Sequence, residues 1–173
     1  MGQYYKPVNL NNKEWLYSHS YDDGLKLMEH SWIDNNFVKA VETLLQKGNT
    51  WYKANIVWAG DYADPEPTKE ASTIYDQCED KNEIKPKIGD CDYPFIVNHT
   101  KKLFVDKRKG KKDQDGWQIH PLPLLTCEGN GGGNGDFRGE DKDNIIGSWS
   151  RDSISIEEQQ PKDYKEINFN LTE

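Results

Sequence analysis

The clearest periodicity in this chain is helical and occurs once. Phe37, Val38, Val41, Leu44 and Leu45 fall on one face, Asp34, Asn35 or Asn36 stands ready to cap the start, and Lys47-Gly48 closes the end. The remaining apolar residues come in short runs separated by Gly, Pro, Asn and Asp. One principal amphipathic helix among many short runs predicts an α+β fold, with a mainly antiparallel sheet of hairpins and that helix packed on a face.

The runs can be placed in order. Gln3 to Leu10 and Glu14 to His19 flank Asn11-Asn12-Lys13 and read as a hairpin; Tyr93 to Asn98 and Lys102 to Asp106 read as a second. Trp51 to Trp58, Trp117 to His120, Ile145 to Trp149, Ser153 to Ile156 and Lys165 to Leu171 supply further strands, whereas Leu25 to Ile33 fits either period. Pro121 and Pro123 bar a regular inner strand after His120 and predict an extended or edge segment. The whole, residues 1–173, reads as one domain with a polar excursion at 66–90, a helical turn near Ser72 to Cys78, and a glycine-rich loop at 128–139.

Composition narrows the function classes. The apolar fraction is 34% and mean hydropathy is -0.98, so five Phe, six Trp and nine Tyr must carry much of the burial. No apolar run is long enough to span a bilayer and no basic-then-apolar leader opens the chain, so neither a membrane partner nor secretion is expected. Cys78, Cys91 and Cys127 form no even framework, which fits a reducing, cytoplasmic setting. The formal charge of -8 disfavours nucleic acid except locally, through the basic run Lys101 to Lys112. Subtracting that run's +6 leaves -14 on the rest.

Four features carry candidate chemistry. Five of the 14 glycines lie between Gly129 and Gly135, but Asp136-Phe137-Arg138-Gly139 follows where a phosphate loop needs Gly-Lys-Ser/Thr, so a phosphate-loop NTPase is excluded. Asp61, Asp64 and Glu66, or Asp136, Glu140, Asp141 and Asp143, offer hard oxygens to a divalent cation, though neither group has EF-hand order. No other cofactor is expected. His19, His30, His99 and His120 match no zinc spacing; His120, where an apolar run breaks into prolines, is the best candidate for acid or base work. Tyr4, Tyr5, Trp15, Trp51, Trp58, Tyr62, Trp117 and Trp149 offer rings to a ligand or to a small core.

Gly2-Gln3-Tyr4-Tyr5-Lys6-Pro7-Val8-Asn9-Leu10, Gly24-Leu25-Lys26-Leu27-Met28-Glu29, Trp58-Ala59-Gly60-Asp61-Tyr62-Ala63-Asp64 and His120-Pro-Leu-Pro-Leu-Leu-Thr resemble segments of a set of small bacterial and fungal proteins that open with Gly-Gln-Tyr-Tyr/Trp. That resemblance implies a stand-alone domain. It carries no catalytic residue across.

These readings converge on non-catalytic binding of a small polar or anionic ligand, or of a protein partner, between the turn after Trp58 and the loop from His120 to Arg138. Trp58 and Tyr62 would stack, Asp61, Asp64 and Asp136 would accept hydrogen bonds beside His120, and Arg138 or Arg151 would pair with an anionic group. The alternatives are a hydrolase using His120 with Asp61 or Asp136, with or without a metal, and an acidic mimic of nucleic acid.

Overall fold

A computed structural model describes residues 3–68, 71–129 and 136–173. Its strands are β1 (Tyr5–Asn9), β2 (Ile56–Gly60), β3 (Phe95–Asn98), β4 (Leu103–Asp106), β5 (Cys127–Glu128), β6 (Ile154–Glu157) and β7 (Lys165–Glu166). Its α-helices are α1 (Leu27–His30), α2 (Asn36–Leu44) and α3 (Pro121–Thr126). One sheet has the order β1-β2-β5 and the other β6-β3-β4-β7. Three of the five strand pairings are antiparallel, and β2–β5 and β4–β7 are parallel.

The α+β class follows from the helix and hairpin signals. In α2 the Asn35 side chain accepts from Val38 N at 3.1 Å, capping a helix whose Phe37, Val38, Val41 and Leu44 are buried. The β3–β4 hairpin aligns Phe95 with Asp106 and Asn98 with Leu103. Both sheets and α2 contribute to one core, in which Tyr5, Ile56, Trp58, Ile96, Val105, Ile156 and Trp51 take part.

Strand β2 is buried along its whole length. Alternation sends Ile56 and Trp58 into the main core, and Val57 and Ala59 to the opposite face, where they meet Val8 and Trp15. The 66–90 excursion supplies Ile74, Tyr75 and Cys78 against that second face. Trp15 Nε1 donates to Glu79 O at 2.8 Å and pins the cover down.

Three expectations need correction. β1 pairs along its length with β2, and on its other edge the predicted hairpin partner Glu14 to His19 adds only one bridge, Val8 to Trp15, before a 3-10 turn at Ser18–Tyr21. The Pro121 segment is helical, not extended: both prolines sit in the first turn of α3, where the N–H groups they lack would have no intrahelical acceptor. Ile145 to Trp149 forms turns, not a strand, with Asp141 accepting from Ile145 N and Ile146 N at 3.0 and 2.9 Å.

Candidate functional site

The two segments singled out by sequence are neighbours. β2 and β5 run parallel, Trp58 beside Cys127 and Ala59 beside Glu128, so both carboxyl ends open at the same edge of the sheet. Gly60 permits this approach: a Cβ there would lie 2.5 Å from Glu128 O and 3.0 Å from a Tyr5 ring carbon. The loop residues 130–135 lie outside the described residues.

On the outer face, Arg151 joins the two chain exits. Its Nε donates to Glu128 Oε2 at 2.6 Å, its Nη2 to Glu128 Oε1 at 2.8 Å, and Nη2 also to Glu66. Ser150 Oγ donates to the same Glu128 carboxylate. Burial alone would raise Glu128's pKa, but Arg151 and Ser150 outweigh it and hold Glu128 below the ordinary carboxylate range. The Glu128 hydrogen bonds, against the opposing effect of burial and with help from Glu66, keep the guanidinium firmly charged.

Arg151 stands at one edge of a cavity of about 820 Å³ between the sheet and the cover segment. Val8, Leu10, Ile74 and Cys78 form its apolar part, and Lys13, Glu66, Asp76, Gln77 and Glu79 its polar part. Burial, followed by the Asp76 charge and partly offset by Lys6, pushes the Cys78 thiol up to about 11. The thiol is therefore mostly protonated near neutrality and reacts with electrophiles more slowly than an ordinary thiol.

On the inner side, the edge is polar. Asp61 Oδ1 accepts from Tyr4 N at 3.0 Å and Asp136 Oδ1 from Gln3 N at 3.3 Å. Among the described residues, Tyr5 Oη and Asp136 Oδ2 are buried without a hydrogen-bond partner. Burial, then Cys127, Asp136 and Asp61, raises the Tyr5 phenol well above its usual value.

The predicted site residues therefore divide. Asp61 and Asp136 lie near Tyr5 at the carboxyl end of β2, whereas Arg151 has its N–H on Ile56 O, the first residue of that strand, and faces the outer cavity; Tyr62, 48% exposed, and Asp64 are on the surface of the turn, and Arg138 is exposed with its N–H bonded to Glu173. Trp58 has no exposed surface, and its Nε1 donates to His30 Nε2 at 2.9 Å, so its ring is a core element with no face left for stacking. His120, 1% exposed, caps α3 by accepting from Leu122 N at Nδ1, 3.1 Å. Its Nε2 lies 3.1 Å from Glu42 Oε1, off the line of a good hydrogen bond, so attraction there is mainly electrostatic. Neither Asp61 nor Asp136 is recorded as a partner of His120, and burial denies its ring a substrate.

His120 belongs instead to a buried group that sequence reasoning missed. Lys107 Nζ donates to Glu42 Oε2 at 2.7 Å and to Asp92 Oδ1 at 2.5 Å, with Lys107 and Glu42 both nearly inaccessible. Burial opposes ionisation of both groups. Its effect on Glu42 is outweighed by His120 and Lys107, and on Lys107 by Glu42 and Asp92, so both remain charged. A Glu inside an apolar helical stripe was the available signal, but nothing in the chain names its partner. The basic run is partly paired: among the described residues Lys101 pairs with Asp152, Lys107 with Glu42 and Asp92, Arg108 with Asp106 and Lys109 with Glu166, whereas Lys102, Lys111 and Lys112 form no ion pair.

Among the described residues, no group of three or more His, Cys, Asp or Glu side chains is arranged to hold a metal, and no helix is long and apolar enough to cross a membrane. Comparison of the chain with family models, with curated proteins and with solved structures produced no match.

Proposed function

We propose that the protein is a binding module, in a reducing cytoplasmic setting, that takes a small polar ligand without transforming it. The observation that carries this reading is the hollow of about 820 Å³ beside Arg151, a size suited to a metabolite-sized molecule, with an apolar floor and a polar rim. Glu66, Asp76 and Glu79 outnumber Lys13 and Arg151 on that rim, and Arg151 already carries two carboxylates. The favoured ligand is therefore neutral or cationic, rich in hydroxyl or amine donors, rather than anionic.

The test combines melting with thiol protection. A library of polyols, amines and nucleosides is screened for a raised Tm, because a ligand specific to the native state adds roughly 2.7 kcal/mol at a hundredfold excess over Kd. A true ligand slows alkylation of Cys78, which lines the hollow, and leaves exposed Cys91 unaffected. Ile74→Trp, which fills the hollow from its edge, removes both effects. Hits that bind Ile74→Trp unchanged, or that never protect Cys78, would overturn the reading.

A further inference from the structure

A second concavity, of about 670 Å³, lies away from Arg151 and is lined by Trp32, Ile33 and Trp117 with Glu29, Asp34 and Asp113. Trp117 is 59% exposed, and its ring stands edge-on to Trp32 at 5.9 Å with an interplanar angle of 65°. A tryptophan left this open, paired with a second ring over a hollow, is an unfilled recognition surface.

Trp32 and the turn that carries Trp117 are held in place before anything binds. Trp32 bridges Ile119, Ile33 N donates to Gln118 O at 2.9 Å, and Trp32 Nε1 is spent on Met28 O at 2.7 Å. Trp117 closes a turn in which Asp113 Oδ1 accepts from both Asp115 N and Trp117 N at 2.9 Å. Trp117's ring, more than half exposed, is open to a ligand, and π faces attract cations. The lining side chains carry three carboxylates and no cation; among the described residues their ion pairing is limited to Lys39 with Asp34 at 3.4 Å, and that Asp34 is 75% exposed. A flat cation with several N–H donors satisfies rings and carboxylates together, and this is a guanidinium. It fills only a small part of the volume, so the flanking residues of a chain must occupy the rest.

We propose that the Trp32–Trp117 cleft binds an arginine side chain presented by a partner polypeptide. The probe is a blocked peptide with a central Leu-Arg-Leu, titrated into the ¹⁵N-labelled full chain while the indole N–H resonances are followed; Trp117→Phe assigns the Trp117 signal. Saturable shifts of the Trp32 and Trp117 signals are expected. Replacing arginine by citrulline, which keeps shape and removes charge, should weaken binding about tenfold or more. Asp113→Asn keeps the Oδ1 acceptor of the turn and should weaken binding without unfolding. No shift at millimolar peptide, equal binding of the citrulline peptide, or an unaltered affinity in Asp113→Asn each overturns the proposal. A free small guanidinium compound that binds as tightly as the peptide overturns the polypeptide part.

Discussion

His30 is neutral by necessity. Its Nδ1–H donates to Gly24 O at 2.9 Å and its Nε2 accepts from Trp58, so a second proton would break the Trp58 bond inside the core. Burial, only partly offset by Gly24 and Glu29, lowers its pKa from 6.5 to about 4. Between those values the unfolded chain binds the extra proton. Stability is therefore full above pH 6.5 and declines as pH drops towards 4, by about 3 kcal/mol. His30→Gln should flatten that part of a denaturant-derived stability curve measured against pH. At Tyr5 the unpartnered hydroxyl is a cost, so Tyr5→Phe is expected to stabilise by about 1 kcal/mol in chemical denaturation. A loss of stability instead would mean that the hydroxyl has a bound partner in solution. Neither environment was legible in the sequence, where His30 and Tyr5 are ordinary residues in mixed runs.

Among the elements, α2 shows what periodicity reveals and what it hides. Its apolar stripe and its Asn35 cap are written in local residue types, so the helix was readable from spacing. Glu42 interrupts the stripe, and only the arrival of Lys107, 65 residues on, explains why. Glu42→Gln leaves a buried ammonium with Asp92 as its remaining carboxylate and should cost about 3 kcal/mol in equilibrium unfolding. Acid should act on wild type in the same direction. Glu42 has a depressed pKa, so its contribution is complete at neutral pH and is lost as pH falls through a value below the usual carboxylate range. The β2–β5 pair depends on backbone proximity at Gly60. Gly60→Ala should push β5 away, lower Tm, and cost about 2 kcal/mol, since the new methyl meets a backbone oxygen rather than a yielding side chain.

For the molecule as a whole, Arg151 is the tie between the sheet edge and the cover. It adopts a left-handed backbone at φ 68°, with its N–H on Ile56 O at 2.8 Å, so the ion pairs form at the expense of local strain. Arg151→Gly removes both. Surface pairs contribute up to about 1 kcal/mol and relief of an αL residue returns about as much, so the melting midpoint should move little. The cover segment, whose Glu66 loses Arg151 as its partner, should be cut sooner in limited proteolysis. Sequence reasoning brought Asp61, Asp136 and Arg151 forward for their charge and loop setting; the two aspartates lie beside Tyr5, and Arg151 faces the outer cavity instead. It also brought forward Trp58 and His120, because a ring or an imidazole beside a turn reads alike whether it faces solvent or core.

By itself the amino-acid order determined what short-range physics can encode: the α2 helix and its cap, the β3–β4 hairpin, and the charge and cysteine usage. Tertiary structure alone decided which strands pair, that two prolines open a helix, and that the 66–90 excursion roofs the second face of β2. The reason is that periodicity and capping act between residues a few positions apart. The pairing of β1 with β2, the burial of Lys107 against Glu42, and the Trp32–Trp117 cleft all depend on which distant surfaces exclude water together.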